Sequence, residues 1–189
     1  MVLPIYMTAI IEGSVDNVFA CLRGGGDTGW TDVPDPTLGI TLLMACAVRS
    51  RGDPNEAVAI ARLLMEHGAS MDTADGGPGC YPAMMAAAAG HVELLSFLLE
   101  RGAVFDRCPH GSTSQPIWLA AQNGHAACVA KLVQAAAAAG KQIVDATNNM
   151  GRTPLSIAIH RAAPGGGGGA GRGRGRHSKG LPSTWYVAD

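Results

Sequence analysis

Apolar residues recur along this chain with a helical period, in short segments separated by glycine and polar turns. In the clearest segment, residues 92–100, leucines stand at positions 94, 95, 98 and 99. The spacing i, i+1, i+4, i+5 places these side chains on one face of an α-helix. A Gly-Ala pair follows and ends the pattern. The segment is therefore predicted to be a short amphipathic helix with one buried stripe.

A ten-residue phrase occurs twice at a fixed distance. Residues 82–91, PAMMAAAAGH, return 34 positions later as residues 116–125, PIWLAAQNGH. Proline suits the first turn of a helix, where its missing N–H costs no hydrogen bond, and glycine suits the left-handed residue that ends one. Each phrase therefore predicts a helix between the proline and the glycine. The fixed interval predicts a stack of similar helical pairs.

About five such units are predicted within residues 4–163, of which the first is diverged and the last is truncated. In the second unit, a loop over residues 50–55 separates the two helices and is about five residues longer than in the third. In the fourth, the alanine run 135–139 should lengthen the second helix by about one turn. In the fifth, Thr153 and Pro154 form a helix start, but the pattern stops after Ala163.

The composition changes after Ala163. A glycine run leads into an Arg-Gly alternation, and the net charge is −5 over residues 1–160 but +4 over residues 161–189. Low hydrophobicity with much glycine predicts a disordered tail over residues 164–189. An Arg-Gly segment followed by Trp185 and Tyr186 is also similar to segments that bind RNA by charge and stacking. A weak nucleic-acid site is therefore an alternative for the tail, at Arg172, Arg174 and Arg176.

The cysteines and the chain start indicate a reducing compartment. The five cysteines form no Cys-x-x-Cys pair, and their odd number does not fit a disulfide framework. Three of them occupy positions that carry buried apolar residues in other units, so they are expected in the core. The start lacks a signal-peptide pattern, and no apolar run reaches the roughly 18 residues of a membrane span. We expect a cytoplasmic monomer, with the nucleus as an alternative, that does not bind a membrane.

The repeated units resemble the ankyrin repeat. The family core Gly-x-Thr-Pro-Leu-His-x-Ala-Ala-x-x-Gly-His is similar to residues 151–158 and to the two phrases, and its Leu-Leu-x-x-Gly-Ala ending is matched by residues 98–103. The resemblance implies an all-α solenoid of stacked helix-turn-helix units with β-turn finger loops. It also implies that His91 and His125 cap and pack helix junctions. The family's own motif histidine is replaced here by Met44, Met84, Trp118 and Ser156.

The resemblance further implies a non-catalytic adaptor that binds another protein through its fingers and its concave inner-helix face. No nucleophile–base pair is readable, and the glycine run lacks the Gly-Lys-Ser/Thr of a phosphate loop, so no enzyme, cofactor or metal site is predicted. Positions where the two phrases differ, such as Met84 against Trp118, are expected to carry the information about the partner. Alternatives are a nucleic-acid-associated adaptor and a fragment of a larger ankyrin protein whose effector domain is missing. The loss of pattern in the fifth unit also fits an end produced by splicing or by the gene model.

The candidate partner-binding residues come from the places where the family makes contacts. In the fingers they are Trp30, Asp75, Tyr81, Asn149 and Arg152. At the exposed ends of the inner helices they are Arg49, Gln122, Asn123 and His160.

The truncated fifth unit predicts uneven protection of backbone amides. Residues 145–163 should exchange hydrogen faster than residues 92–100, because no second helix covers the apolar face of the fifth unit. Hydrogen–deuterium exchange followed by mass spectrometry compares the two segments within one sample. Equal protection would show that the fifth unit is covered like the others.

Overall fold

The computed structural model describes residues 3–12, 14–24, 31–49, 53–75, 79–107, 115–147 and 151–162. Within these ranges the chain forms nine α-helices and no strand. In chain order they are α1 (Leu3–Glu12), α2 (Val15–Gly24), α3 (Leu42–Ala45), α4 (Pro54–Glu66), α5 (Pro82–Ala89), α6 (Val92–Glu100), α7 (Pro116–Asn123), α8 (Ala126–Ala138) and α9 (Pro154–Ala162).

The helices form two layers. The inner layer contains α1, α3, α5, α7 and α9, and each of these packs against the next. The outer layer contains α2, α4, α6 and α8, which also follow one another side by side. Each outer helix contacts the inner helix that precedes it in the chain. This is the all-α solenoid of stacked helical pairs that the repeated phrase predicts, and the segments between successive pairs are its fingers.

The two copies of the phrase have the same backbone structure. Helices α5 and α7 begin at their prolines, and each ends before a glycine in the left-handed conformation. Gly90 and Gly124 both have φ = +79°, a value that a residue without Cβ adopts at little cost. The predicted limits of both inner helices are therefore confirmed.

The outer helices confirm the predicted stripe and the predicted extension. Helix α6 spans the predicted range; the side chains of Leu94, Leu95 and Leu98 are fully buried, and Leu99 is half-buried against the core. Helix α8 has 13 residues where α6 has 9, so the alanine run adds about one turn. Alanine has the highest helix propensity, and Ala136 of the extension is also buried in the core.

The second unit differs from its prediction. Residues 50–55 were expected to form a loop, but α4 already begins at Pro54. Asp53 caps this helix, since its Oδ1 accepts a hydrogen bond from the backbone N–H of Asn55 at 2.8 Å. An acidic N-cap followed by proline at the first helical position is a strong start signal, and it determines the boundary. The inner helix of this unit is short and continues as a 3-10 turn over Cys46–Val48.

The inner helices start in two different ways. Thr41 and Thr153 cap α3 and α9, because each Oγ1 accepts the backbone N–H of the residue three positions later, at 3.4 Å and 3.2 Å. Tyr81 and Gln115 occupy the same position before α5 and α7 and make no such bond within the described part of the chain. Residues 82–88 of α5 are all buried, so apolar packing holds this helix in place.

The burial of the α6 stripe predicts a large loss of stability on truncation. Leu98 is fully buried, so Leu98→Ala should lower the free energy of unfolding by roughly 2–5 kcal/mol through lost contacts and a residual cavity. Urea denaturation followed by circular dichroism measures the change. Val33 is 48% exposed, so the matched Val33→Ala variant should stay within about 0.5 kcal/mol of the original chain. Similar losses in both variants would contradict the assignment of Leu98 to the core.

Candidate partner-binding surface

The structure describes the side chains of six of the nine candidate partner-binding residues. Helix α9 contains His160, whose side chain is outside the described part, and Trp30 and Asn149 lie outside it altogether. The tail arginines Arg172, Arg174 and Arg176 also lie outside the described residues. The six that can be placed are Arg49, Asp75, Tyr81, Gln122, Asn123 and Arg152.

Three of the six present side chains at the surface of the inner layer. Gln122 lies in the last turn of α7 and is exposed. Tyr81 directly precedes α5 and is half-buried, and Arg152 lies two residues before α9 and is exposed. Tyr81 and Arg152 therefore mark the finger ends of two inner helices, while Gln122 marks the opposite end of the helix between them.

Asn123 connects two successive units. Its Nδ2 donates a hydrogen bond to the backbone carbonyl of Ala88 at 2.7 Å, and His125 Nε2 lies 3.1 Å from the same oxygen. The end of α5, whose last carbonyls have no partner within the helix, is thus capped by side chains of the next unit. The capping and packing role implied for His125 is confirmed, and the amide nitrogen of Asn123 is committed to the stack.

The imidazole of His125 also fits closely against Gly90. A Cβ atom at Gly90 would lie 2.5 Å from His125 Nδ1, closer than such contacts occur. Gly90 therefore has two functions: it adopts the left-handed backbone that ends α5, and it leaves space for the ring that caps α5. At Gly124, which has the same φ, an added Cβ would meet no atom within 4 Å among the described residues.

Asp75 closes the turn of its own finger. Its Oδ1 accepts the backbone N–H groups of Gly79 at 2.6 Å and Cys80 at 3.0 Å. Its backbone N–H donates to the carbonyl of Cys80 at 2.9 Å. In the preceding finger, Asp35 accepts two backbone N–H groups at 2.8 Å each. One oxygen of Asp75 is thus used to shape the finger that was predicted to carry a partner contact.

A second set of carboxylates joins one finger to the next, and sequence reasoning missed it. Asp32 Oδ1 accepts the backbone N–H of Ser70 at 2.8 Å, and Asp72 Oδ1 accepts that of Val104 at 3.1 Å. We call these two bonds the finger ladder. A signal was present, because the pair Asp32 and Asp35 recurs 40 positions later as Asp72 and Asp75.

Arg49 does not lie at an exposed end of an inner helix, and that expectation is wrong. Its side chain is 3% exposed and pairs with Glu56 of α4 at 3.0 Å. The same guanidinium donates a hydrogen bond to the carbonyl of Ile10 in α1. Arg49 directly follows the 3-10 turn, and its side chain connects α1 of the first unit to α4 of the second. Arg49 is a structural residue there, and we do not retain it as a partner contact.

Trp118 was expected to carry information about the partner, and this expectation is also wrong. Its side chain is 2% exposed, and Nε1 donates to the carbonyl of Ala146 at 3.2 Å. The indole therefore fills the core and fixes the chain segment that follows α8. A buried tryptophan requires a partner for its N–H, which the carbonyl provides.

The buried cysteines are not suited to nucleophilic chemistry. Burial raises the pKa of Cys46 to about 12 and that of Cys128 to about 11. Burial, with a smaller contribution from the carboxylate of Asp75, raises the pKa of Cys80 to about 12. The thiolate is the reactive form, so these thiols are inert near neutral pH. Cys108 lies outside the described residues.

The described ranges contain neither a metal-binding group nor a helix able to cross a membrane. Within them, no three or more His, Cys, Asp or Glu side chains form a group that could hold a metal ion. No helix in these ranges combines the length and the apolar character that a bilayer crossing requires. The longest of them, α4 and α8, have 13 residues each.

A comparison with protein families matches residues 84–164 to the model for ankyrin repeats, in three copies. This part of the chain consists of ankyrin repeats. The match begins within α5 and takes in every later helix, including α9. Ankyrin repeats are protein-interaction modules, and the family is generally non-catalytic. A comparison with curated proteins gave no match.

The packing of His125 predicts a difference between two glycines in these ankyrin repeats. Gly90→Ala and Gly124→Ala impose the same left-handed strain of about 1–2 kcal/mol, but only Gly90→Ala also displaces the imidazole. Gly90→Ala should therefore lower the free energy of unfolding by about 1–3 kcal/mol more than Gly124→Ala, as measured by urea denaturation. Adding His125→Ala to both variants should shrink this difference. If the two glycine variants are equally stable, the imidazole does not restrict Gly90.

The raised pKa of Cys46 predicts loss of stability at alkaline pH. The thiol ionises near its ordinary pKa of about 8.5 in the unfolded chain but near 12 in the fold, so ionisation favours unfolding. The contribution of this thiol to stability is complete below about pH 8.5 and declines as pH rises towards 12. Urea denaturation under reducing conditions, from about pH 7.5 to about pH 10, should show a steeper decline for the original chain than for Cys46→Ala. Parallel declines would contradict the prediction.

Proposed function

We propose that this chain is a non-catalytic adaptor that binds a partner protein through its finger loops and the exposed side chains of its inner layer. The observation that supports this proposal is that Tyr81, Gln122 and Arg152 lie at the ends of three successive inner helices of an ankyrin stack. Gln122 and Arg152 are exposed and Tyr81 is half-buried, while most residues of α5 and α7 are buried in the stack. Polar and aromatic groups that reach the surface of a stack of packed helices are suited to binding another protein.

The residues that shape the surface support the same proposal. Asp75 and Asn123 each use side-chain atoms in hydrogen bonds that hold the fold, and both side chains are half-buried. A contact surface supported in this way needs little ordering when a partner binds, which lowers the entropic cost of association. In this proposal, Asp75 and Asn123 position the surface and contribute contacts at its edge. His160, Trp30 and Asn149 remain candidates from the sequence.

The proposed setting is a cytoplasmic or nuclear monomer. Cys21, Cys46, Cys80 and Cys128 are all free thiols in the described part of the chain, which is typical of a reducing compartment. Two alternatives come from the sequence alone: a nucleic-acid-associated adaptor that uses Arg172, Arg174 and Arg176, and a fragment of a larger ankyrin protein. The negative charge of residues 1–160 disfavours phosphate binding by the repeats themselves.

A photocrosslinking experiment in cells tests the proposed surface. p-Benzoylphenylalanine placed at position 122 should form a covalent adduct with a partner protein, because Gln122 is exposed on the inner layer. The matched control is position 131, since Lys131 is exposed on α8 in the outer layer. Immunoblotting for the chain should show a shifted band from position 122 and none from position 131.

Two further arms separate the alternatives. The adduct from position 122 should persist after nuclease treatment and in the variant with Arg172, Arg174 and Arg176 all changed to Ala. Loss of the adduct in both arms would favour the nucleic-acid adaptor. Equal adducts from positions 122 and 131 would mean that the inner layer is not the binding surface, and the proposal would fail.

A further inference from the structure

An apolar groove of about 480 Å³ opens between α7, α8 and α9. Its walls are made by Val129 and Val133 of α8 and by Leu155 and Ala158 of α9, and Val144 lies at the segment between these helices. The remaining lining residues, among them Ile117, are also glycine, proline or aliphatic. We call this feature the C-terminal groove. Its volume lies in the range of cavities that take up a bulky apolar group, about 300–1,000 Å³.

The exposed apolar residues of the described chain concentrate around this groove. Of its five exposed large hydrophobic residues, Val144, Leu155 and Ile159 lie in the groove wall or on α9. Leu155 and Ile159 are 62% and 61% exposed. Along the rest of the stack each outer helix is followed by another, but no described helix covers α8 on this side. An exposed apolar patch beside a groove is typical of a site that binds another apolar group.

The chain itself contains a segment with suitable chemistry. Residues 163–180, which follow α9, contain nine glycines and no large apolar side chain. Leu181, Trp185, Tyr186 and Val187 then stand close together. Composition alone gives no reason for two aromatic residues to follow such a stretch. We propose that residues 181–187 bind in the C-terminal groove and cover the open end of the ankyrin stack.

The connecting stretch has the right length for this contact. Ala158 lines the groove and lies four residues before Ala162, the last residue of α9, which corresponds to about 6 Å along the helix. A Gly-rich stretch of 18 residues has a root-mean-square span of about 23 Å. Residues 181–187 can therefore reach the whole groove without displacing α9.

Because residues 181–187 belong to the same chain as the groove, even a weak affinity would keep them bound there. A short flexible linker presents its end at an effective concentration of about 1 mM, so a segment that binds as a free peptide with a Kd of about 0.1 mM would be bound about 90% of the time. Trp185 and Tyr186 suit a groove at a surface, because each combines a large apolar ring with a polar group that can face water. The bound segment would also exclude other apolar ligands from the groove. This inference does not depend on the proposed binding surface of the inner layer.

Fluorine NMR on the full chain tests the contact. The chain has three tryptophans, so labelling with 5-fluorotryptophan gives three resonances, and Trp185→Phe identifies the signal of Trp185. In the original chain this signal should differ from its position in urea, because the ring lies in the groove. Leu155→Asp, which puts a charge into the groove wall, should move the signal at least halfway to its urea position.

The matched control is Ser156→Asp, which adds the same charge at the next residue of α9, outside the groove lining. It should leave the Trp185 signal in place. Because Leu155 is exposed, its substitution should not unfold the stack, and an unchanged Trp118 signal checks this. As a second measurement, changing both Trp185 and Tyr186 to Ser should speed amide exchange in residues 154–162 at least threefold.

Three results would overturn the proposal. A Trp185 signal already at its urea position in the original chain would show that the ring lies in solvent. Equal responses to Leu155→Asp and Ser156→Asp would show that the groove is not where it binds. A response that disappears on tenfold dilution, together with a dimer in sedimentation velocity, would identify a second copy of the chain as the occupant.

Discussion

The close packing of thin inner helices is the constraint on which the rest of the structure depends. Ala86 and Ala87 of α5 and Ala120 of α7 are fully buried where inner helices pack side by side. A larger side chain at these positions would push the units apart, because protein interiors contain almost no spare volume. The capping of α5 by Asn123 and His125 requires this short separation, since both bonds cross from one unit to the next.

Local signals explain why much of the fold could be predicted. Helices α5, α6 and α7 have the predicted limits because proline, glycine and the leucine stripe act within a few residues of their own position. The start of α4 was placed too late, although Asp53 and Pro54 carry the same kind of signal. The connection between α3 and α4 is longer than in the other units, and it was interpreted as a loop although its last residues contain a helix start.

The candidate surface was harder to predict, because exposure depends on neighbours distant in sequence. Arg49 donates to the carbonyl of Ile10, 39 positions earlier, and Trp118 donates to a carbonyl 28 positions later. Neither partner can be identified from a motif, since both bonds use backbone oxygens that every residue has. Gln122 is exposed, as expected, because its exposure depends mainly on the face of α7 on which it lies. A deviation from the repeat consensus thus does not by itself indicate whether the residue is buried in the core or exposed at the surface.

The finger ladder has a consequence for how such an array can change. Each carboxylate accepts a hydrogen bond from a backbone N–H of the next finger, and the donating residues are as different as Ser70 and Val104. Any residue except proline can supply that N–H. The bond that holds neighbouring fingers in register is therefore indifferent to the side chains that those fingers display. New finger sequences, and with them new binding specificities, can arise at the positions that donate the N–H while the spacing of the array is preserved.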